Sequence, residues 1–323
     1  MKAGKFILVA SAAGAAAGIW ALIAWAGGPP RADGAVVKEL QGAMAKLRPL
    51  HKSLGKPAPA DWLAHHDEPG QTFAQYLASK PNVPDERRRT ITIQPLGDMT
   101  DAQKKIVAAT AEFIGLYFNL PVKVNDPLEA AVVPAKARRT HPTWGDKQML
   151  STYILDDVLR PRLAKDAFAM IAFTAEDLWP EEGWNFVFGQ ASLRDRVGVW
   201  SLYRFGDPAV GEVAFRKCLL RTMKTGTHEL GHMFSMVHCT TYECNMCGSN
   251  SLTESDRRPL ALCPECLAKT CWATGADPID RFRGLSAFCR ARGLTAEADF
   301  YDLSLRALGG QATTSTSSAP AGR

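Results

Sequence analysis

One stretch of the sequence, residues 227–266, concentrates side chains that can bind a metal ion. Five of the eight cysteines and three of the seven histidines lie within it. Imidazole nitrogen and thiolate sulfur are ligands that divalent zinc prefers in proteins. The stretch therefore predicts a zinc site, and its mixture of nitrogen and sulfur ligands leaves room for more than one.

The histidines of this stretch have the spacing of a catalytic metal site. His228 and His232 are four residues apart, and residues four apart on a helix share a face. His238 follows six residues later and supplies a third nitrogen if the helix ends near residue 234. Three protein ligands leave a fourth position open, which distinguishes a catalytic zinc from a structural one. Glu229 can reach a water molecule at that position, so it is the candidate general base.

The cysteines of the stretch admit two ligand sets for a structural zinc. One set is Cys239 and Cys244 together with Cys263-x-x-Cys266. In the other set Cys247 takes the place of Cys239, because two CxxC pairs separated by fifteen residues also fit a zinc-ribbon spacing. Spacing alone does not decide between the two sets.

The order of these ligands resembles the archaemetzincin family of zinc metallopeptidases. The motif HExxHxxxxxHCxxxxCxM begins at His228, ends at Met246 and is followed by the CxxC pair of residues 263–266. Residues 61–63, 70–73 and 257–260 are also similar to segments of the family. The resemblance covers about residues 50–295, and its metal motif is highly specific.

The resemblance implies a peptidase with two zinc ions in each chain. A catalytic zinc would be held by His228, His232 and His238, with Glu229 activating a zinc-bound water to hydrolyse peptide bonds. A structural zinc would be held by four thiolates, and this implied ligand set favours Cys239 over Cys247. Its members are Cys239, Cys244, Cys263 and Cys266.

The resemblance also implies a fold and a type of cleavage. The implied fold is an α+β, metzincin-like zincin with a mixed, twisted sheet packed on the active-site helix. Met246 would form an apolar floor beneath the catalytic site, and aminopeptidase-type cleavage is suggested for some family members. Ser235 departs from the family pattern, which has glycine at the turn that follows the helix. A serine held at positive φ there would carry about 1–2 kcal/mol of strain, and the alternative is a turn of another conformation.

Two other functional classes compete with the peptidase. A zinc-stabilised module that binds peptides or proteins without turnover is the alternative, but a pure binding site has no need of a base at Glu229. Nucleic-acid binding is not expected, because the net charge of +5 is mild and the main basic run, 87–89, follows an acidic pair.

The N-terminal residues 6–26 form an uncharged apolar run of a length that can cross a bilayer. We predict a membrane anchor there, with Lys2 and Lys5 on the cytoplasmic side and the catalytic domain extracytoplasmic. The alternative is a signal peptide cleaved near Ala26, which would give a secreted protein. The domains are then residues 1–34 as anchor or signal segment, 35–308 as the peptidase domain and 309–323 as a disordered tail.

Hydrophobic periodicity and cap residues predict the elements that must position the site. Helices are expected at 35–50, 100–119, 148–164, 277–292 and 295–308, and the active-site helix is expected to run from Asp207-Pro208 to about 233. Strands are expected at 90–96, 121–125 and 167–174, and the last of these, which is nearly all apolar, is expected to be central and buried. Two more strands are expected at 185–192 and 197–205, as a hairpin or an edge pair. The remaining cysteines, Cys218, Cys271 and Cys289, are predicted to be buried free thiols. The remaining histidines, His51, His65, His66 and His141, are predicted to be surface residues.

Overall fold

The structure, a computed structural model, describes residues 34–311. Its helices are α1 (Gly34–Leu47), α2 (Phe73–Ala78), α3 (Asp101–Phe118), α4 (Ser151–Tyr153), α5 (Glu212–Met233), α6 (Leu252–Arg257), α7 (Pro264–Thr274), α8 (Pro278–Ala291) and α9 (Thr295–Ala307). Its strands are β1 (Thr90–Leu96), β2 (Val122–Val124), β3 (Arg138–Thr140), β4 (Lys147–Leu150), β5 (Ala167–Thr174), β6 (Asp177–Trp179), β7 (Gly189–Ser192) and β8 (Val197–Ser201).

A five-stranded mixed sheet occupies the centre of the fold, with strand order β2-β1-β5-β8-β7. The neighbours β2, β1, β5 and β8 run parallel to one another, whereas β7 runs antiparallel to β8. A smaller sheet has the order β3-β4-β6. The mixed sheet flanked by helices confirms the predicted combination of α and β structure.

Strand β5 is buried on both faces, and all eight of its residues are buried. Because side chains alternate along a strand, Ala169, Ile171 and Phe173 pack into the core that α3 and α5 share. Met170 and Ala172 pack on the opposite face, into a second core with the residues that follow α4. The prediction of a central buried strand from its continuous apolar run is confirmed.

Helix α3 begins where its cap residue predicts. The Thr100 side chain accepts a hydrogen bond from the Gln103 N–H, and the Gln103 side chain accepts one from the Thr100 N–H, which completes a capping box. The helix ends at Asn119, which has a left-handed backbone with φ of 52°. Phe113 and Tyr117 of its inner face belong to the same core as α5, so α3 supports the active-site helix.

The helix predicted for residues 148–164 is wrong in its first part. Residues 147–150 form strand β4, because Gln148 pairs with Asp177 of β6 and also donates to its carboxylate at 2.7 Å. The chain is α-helical in α4 and continues as a π-helical turn, Ile154–Leu159, and a 3-10 turn, Arg160–Arg162. Pairing within the small sheet therefore overrides the local helical pattern.

The predicted start of the active-site helix also has to be corrected. The Asp207 carboxylate accepts a hydrogen bond from the Ala209 N–H at 2.8 Å, which closes a local turn and not a helix cap. Gly211 follows with φ of 149°, and α5 begins at Glu212. The predicted edge pair is confirmed as β7 and β8, although both strands are shorter than expected.

The prediction of a membrane-anchored, extracytoplasmic protein has to be corrected. No helix within residues 34–311 is long and apolar enough to cross a membrane. Residues 6–26, to which the anchor and the N-terminal apolar helix were assigned, lie outside the described residues, as does most of the predicted tail.

Candidate active site

Helix α5 carries the first two histidines and the glutamate of the predicted catalytic site. His228 and His232 share one face of the helix, and their Nε2 atoms are 3.0 Å apart. Most residues in the second half of α5 are buried, and the helix ends at Met233. The packing of this half against the central core fixes the positions from which both imidazoles project.

The chain turns back directly after α5 through a Schellman motif. Ser235 adopts the left-handed conformation with φ of 66°, which is the first of the two alternatives that the sequence left open at this position. Its N–H donates to His232 O at 2.8 Å, and the Met236 N–H donates to Gly231 O at 3.1 Å. These two bonds satisfy the last carbonyls of the helix and reverse the chain direction without a glycine.

The turn brings His238 to the other two histidines. Its ring centroid lies 5.3 Å from that of His228 and 4.9 Å from that of His232. One ligand atom from each of the three imidazoles lies within 4.8 Å of the others. The three nitrogens therefore converge closely enough to hold one divalent ion.

A hydrogen-bond acceptor at Nδ1 fixes the tautomer of both helical histidines. His228 Nδ1 donates to Asn245 O at 2.6 Å, and His232 Nδ1 donates to Met236 O at 2.6 Å. This tautomer leaves each Nε2 with a free lone pair. Burial and the neighbouring imidazoles hold the pKa of His228 well below its ordinary value and lower that of His232 to about 3. Both rings are therefore neutral, as metal ligation requires.

The third histidine has a carboxylate acceptor that the sequence did not reveal. Glu68 lies with its two carboxylate oxygens 3.0 and 2.9 Å from His238 Nδ1. Burial acts to raise the pKa of Glu68, but the hydrogen bond and the charge of His238 lower it below the usual value. Trp62 packs edge-on against His238, with ring centroids 5.3 Å apart. Because 170 residues separate Glu68 from His238, no local spacing could have joined them.

Glu229 lies beside the three nitrogens in a buried environment. Its side chain is 5% exposed, and Oε1 is 3.5 Å from His228 Nε2. Burial raises the pKa of Glu229 well above the ordinary value for a carboxyl group. A carboxylate with a raised pKa is a better proton acceptor, which suits a general base.

Met246 lies beneath the helix at the position expected for the apolar floor. A Cβ at Gly231 would meet Met246 Sδ at 2.5 Å and Cε at 2.9 Å, so the thioether fills the space left by the glycine. Met246 is fully buried, and its carbonyl accepts a hydrogen bond from the Cys239 N–H at 2.7 Å. The methionine therefore links the active-site helix to the segment that carries the cysteines.

Four thiols form a second cluster next to the histidines. One sulfur from each lies within 4.8 Å of the others, and all four residues are buried: Cys239, Cys244, Cys263 and Cys266. The Cys239 and Cys263 sulfurs are 3.6 Å apart, close to the roughly 3.8 Å between sulfurs on a tetrahedral zinc with bonds of about 2.3 Å. N–H groups of Met246 and Cys263 donate to Cys244 Sγ at 3.4 and 3.2 Å, which stabilises a thiolate there.

Cys247 does not belong to this set of four among the described residues. Its thiol donates to Tyr242 O at 3.2 Å. Hydrogen bonds from neighbouring thiols, that of Cys244 foremost, lower the pKa of Cys239, whereas the hydrogen bond with Cys239, followed by burial, raises that of Cys247. The convergence of the four sulfurs thus favours the ligand set with Cys239 over the zinc-ribbon alternative.

The cysteines and histidines outside the stretch fall into different environments. Cys218, Cys271 and Cys289 are buried free thiols, as predicted. His65 is exposed, but His141 is 4% exposed and accepts hydrogen bonds from the N–H groups of two nearby residues at its Nδ1. The surface position predicted for His141 is therefore wrong, because its ring caps a turn of the chain.

The fold and the site together define a metallopeptidase: a mixed sheet over a helix that presents two histidines and a glutamate, with a third histidine after a turn. The profile of Peptidase family M54 matches residues 151–271. Archaemetzincin-2 of Homo sapiens is 34% identical over 259 residues, which span 71% of this chain and 71% of that protein. Archaemetzincin of Thermococcus kodakarensis is 32% identical over 185 residues, 56% of this chain and 95% of the relative.

The crystal structure of archaemetzincin from Methanopyrus kandleri is 28% identical, covers 60% of this chain and 99% of its own, and gives a TM-score of 0.46. On the sequence matches, the chain belongs to the archaemetzincin family, peptidase family M54. The predicted family and the predicted enzyme class, a metallopeptidase, are confirmed.

Proposed function

We propose that this chain is a zinc-dependent peptidase in which Glu229 is the general base. The observation that carries the proposal is the placement of the buried Glu229 carboxylate 3.5 Å from His228 Nε2, beside three converging imidazoles. Each imidazole is tied at Nδ1 to an acceptor, so each presents Nε2 to a common point. This donor set fits a zinc with an open fourth position.

The residues of the site have different roles in peptide hydrolysis. Zinc, when bound to His228, His232 and His238, supplies a Lewis acid that acidifies water and polarises the scissile carbonyl. Glu229 accepts a proton from the attacking water and later delivers it to the amine that leaves. Glu68 holds His238 in orientation throughout, because its carboxylate stays hydrogen-bonded to Nδ1.

The four-cysteine cluster is proposed to hold a second, structural zinc. Four sulfur ligands close the coordination shell and leave no position for substrate. The cluster joins the segment directly after His238 to the first turn of α7. Cys266 lies in that turn, where the positive end of the helix dipole favours a negatively charged ligand. Its role is to hold the return segment and the Met246 floor in place.

Strand β7 is proposed to align the substrate. It forms one end of the five-stranded sheet and runs antiparallel to β8. An extended peptide can add to such an edge through main-chain hydrogen bonds, which position the scissile bond independently of side chains. Aminopeptidase-type cleavage is the finer proposal, and its support is the family resemblance.

The test uses purified residues 34–323, zinc analysis and a peptide library. Two zinc ions per chain and peptide cleavage are expected, with loss of at least about 1000-fold in kcat for Glu229→Gln while the zinc content is unchanged. Peptides with free and acetylated N-termini distinguish amino- from endopeptidase cleavage. Full zinc loading with no cleavage of any peptide would instead favour the binding module without turnover.

A further inference from the structure

A small cavity lies directly beside Glu229. Its volume is about 40 Å³, and its wall includes His228 and Glu229. A space of this size holds on the order of three water molecules, or the three heavy atoms of a carboxylate. Because the wall is shared with the proposed catalytic residues, a substrate group in the cavity would be adjacent to the scissile bond.

Lys224, one helical turn before His228, is one of the residues that line this cavity. The residue is 4% exposed, and Nζ donates to the backbone oxygens of Ser255, Asp256 and Arg258. These carbonyls satisfy the three donors of the ammonium group, but they do not neutralise its charge. Within residues 34–311, Lys224 forms no salt bridge with a carboxylate.

The carboxylates that act on Lys224 leave its charge uncompensated. Asp256 binds Arg221 Nη2 at 2.6 Å and lies 3.6 Å from Lys217 Nζ, so its charge is shared with other cations. Burial lowers the pKa of Lys224 to about 8 in spite of the attraction of Asp256 and Glu297. The side chain is therefore protonated at neutral pH.

Arg258 adds a second cation to the same wall. Its Nη2 is 3.1 Å from Glu254 Oε1, and that carboxylate also accepts hydrogen bonds from the N–H groups of Trp62 and Asn250. Arg258 Nε is buried with no hydrogen-bond partner in the described part of the chain. A buried donor without an acceptor is costly, so this N–H is open to a bound acceptor, either a water molecule or a substrate atom.

We propose that this cavity binds a carboxylate group of the substrate next to the scissile bond. Lys224 supplies the compensating charge and Arg258 an open N–H donor, so the enzyme prefers acidic peptides. The inference rests on the proposed function and names its substrate class. Glu254 compensates the charge of Arg258, so Lys224 is the cation of the described wall that no carboxylate pairs with.

Two sources can supply the carboxylate, and substrate pairs separate them. Matched peptides carry Asp or Asn, and Glu or Gln, at the residues flanking the scissile bond, each with a free or an amidated C-terminus. We expect the acidic member to have a kcat/KM higher by about tenfold or more. If the ligand is a side-chain carboxylate, the acidic member keeps its higher kcat/KM after amidation. If the ligand is the terminal carboxylate, the peptide with the free C-terminus has the higher kcat/KM whichever residue flanks the scissile bond. Equal kcat/KM across all pairs and both termini overturns the proposal.

Substitutions of the residues that line the cavity provide a second test of the proposal. Lys224→Met removes the charge at similar length, so the acid-to-amide ratio of kcat/KM should fall to about one, whereas Lys224→Arg should keep most of it. Lys217→Met, an exposed residue of the same helix, is the matched control and should leave the ratio unchanged. If Lys224→Met does not fold, Arg258→Gln takes its place and should reduce the ratio. An unchanged ratio in a folded wall variant overturns the proposal.

Binding measured without turnover keeps this inference separate from the proposed function. Titration calorimetry of the Glu229→Gln protein with the same peptide pairs should give a Kd about tenfold lower for the acidic member. If no peptide is cleaved but the acidic peptides bind preferentially, the proposed function fails and the cavity assignment stands. If neutral and acidic peptides are cleaved and bound alike, the cavity assignment fails and the peptidase stands.

Discussion

Orientation of the imidazoles depends on residues that never touch a metal ion. His238 is the most exacting case, because it lies beyond the end of the helix and is held at Nδ1 by the Glu68 carboxylate. The acceptors of His228 and His232 are backbone carbonyls, which a side-chain substitution does not remove. Glu68 is therefore the acceptor in this group that mutagenesis can test directly.

Replacing Glu68 by alanine should weaken zinc binding at the histidine site by about 10–100-fold, because His238 loses the partner that fixes its tautomer and ring plane. Glu68→Gln, which keeps an amide oxygen as acceptor, should lose less. Competition with a chromogenic chelator measures the affinity. Glu39→Ala, at an exposed position of α1, is the control and should bind zinc normally. An unaltered affinity in Glu68→Ala would remove Glu68 from the site.

The sequence reveals a ligand more readily than the residue that orients it. His228, Glu229, His232 and His238 fall within eleven residues, so their spacing reports a shared helix face and a turn. Glu68 comes from a separate segment, and nothing in its neighbourhood distinguishes it from a surface glutamate. Such partners are set by tertiary packing, which periodicity along one segment does not encode.

At the level of elements, the turn after α5 decides where His238 lies. Ser235 holds a positive φ there, and its Oγ accepts a hydrogen bond from the Asn82 N–H at 3.0 Å. The hydrogen bond offsets part of the strain that a non-glycine residue carries in this conformation. The strain and the hydrogen bond can be separated by two substitutions.

Ser235→Ala keeps the strain and loses the hydrogen bond, so it should lower the free energy of unfolding by about 1 kcal/mol. Ser235→Gly loses the same bond but removes the strain, and it should be more stable than the alanine variant by about 1–2 kcal/mol. Urea denaturation of the zinc-loaded proteins measures both values. Equal stabilities for the two variants would show that the positive φ costs nothing here.

The close contact between α5 and Met246 leads to a prediction about the stability of variants of this helix. A Cβ at Gly231 would overlap the Met246 thioether, so Gly231→Ala should destabilise the protein by about 1–3 kcal/mol although alanine is the better helix former. Gly226 of the same helix is the control, because its Cβ would meet Ile114 at an ordinary 3.7 Å. Gly226→Ala should therefore stabilise by about 0.5–1 kcal/mol. Thermal unfolding compares the pair, and the same sign for both would refute the proposed overlap.

Elements with a strong local pattern could be predicted, and those defined by pairing could not. The Thr100 cap and the continuous burial of β5 follow from residues within one element. Strand β4 depends on the pairing of Gln148 with Asp177, which lies in another segment of the chain. Helix α7 begins at the CxxC pair with Pro264 in its first turn, and this helix start was not predicted because the pair was interpreted as metal ligands.

For the whole molecule, the cysteine cluster connects parts of the chain that are distant in sequence. The segment after His238 pairs with residues near the end of α1, through Ser53 and Tyr242, and Cys263 and Cys266 bring in α7. Helix α7 in turn contacts the start of α2, because the Glu265 carboxylate accepts a hydrogen bond from the Phe73 N–H at 2.6 Å. A metal at the cluster would therefore stabilise the tertiary structure around the active site, not one local loop.

Serine substitutions within α7 test this role of the cluster. Cys266→Ser should reduce the zinc content by one ion per chain and lower the free energy of unfolding by about 3–5 kcal/mol, because a metal cross-link between segments is lost. Cys271→Ser, at a buried free thiol of the same helix, should lower the free energy of unfolding by about 1–2 kcal/mol and keep the full zinc content.

Cys247→Ser should also keep the full zinc content, since Cys247 lies outside the set of four in the described structure. Zinc analysis and denaturation are measured on the same samples. Loss of zinc in Cys247→Ser together with retention of zinc in Cys239→Ser would show that Cys247, and not Cys239, is the fourth ligand.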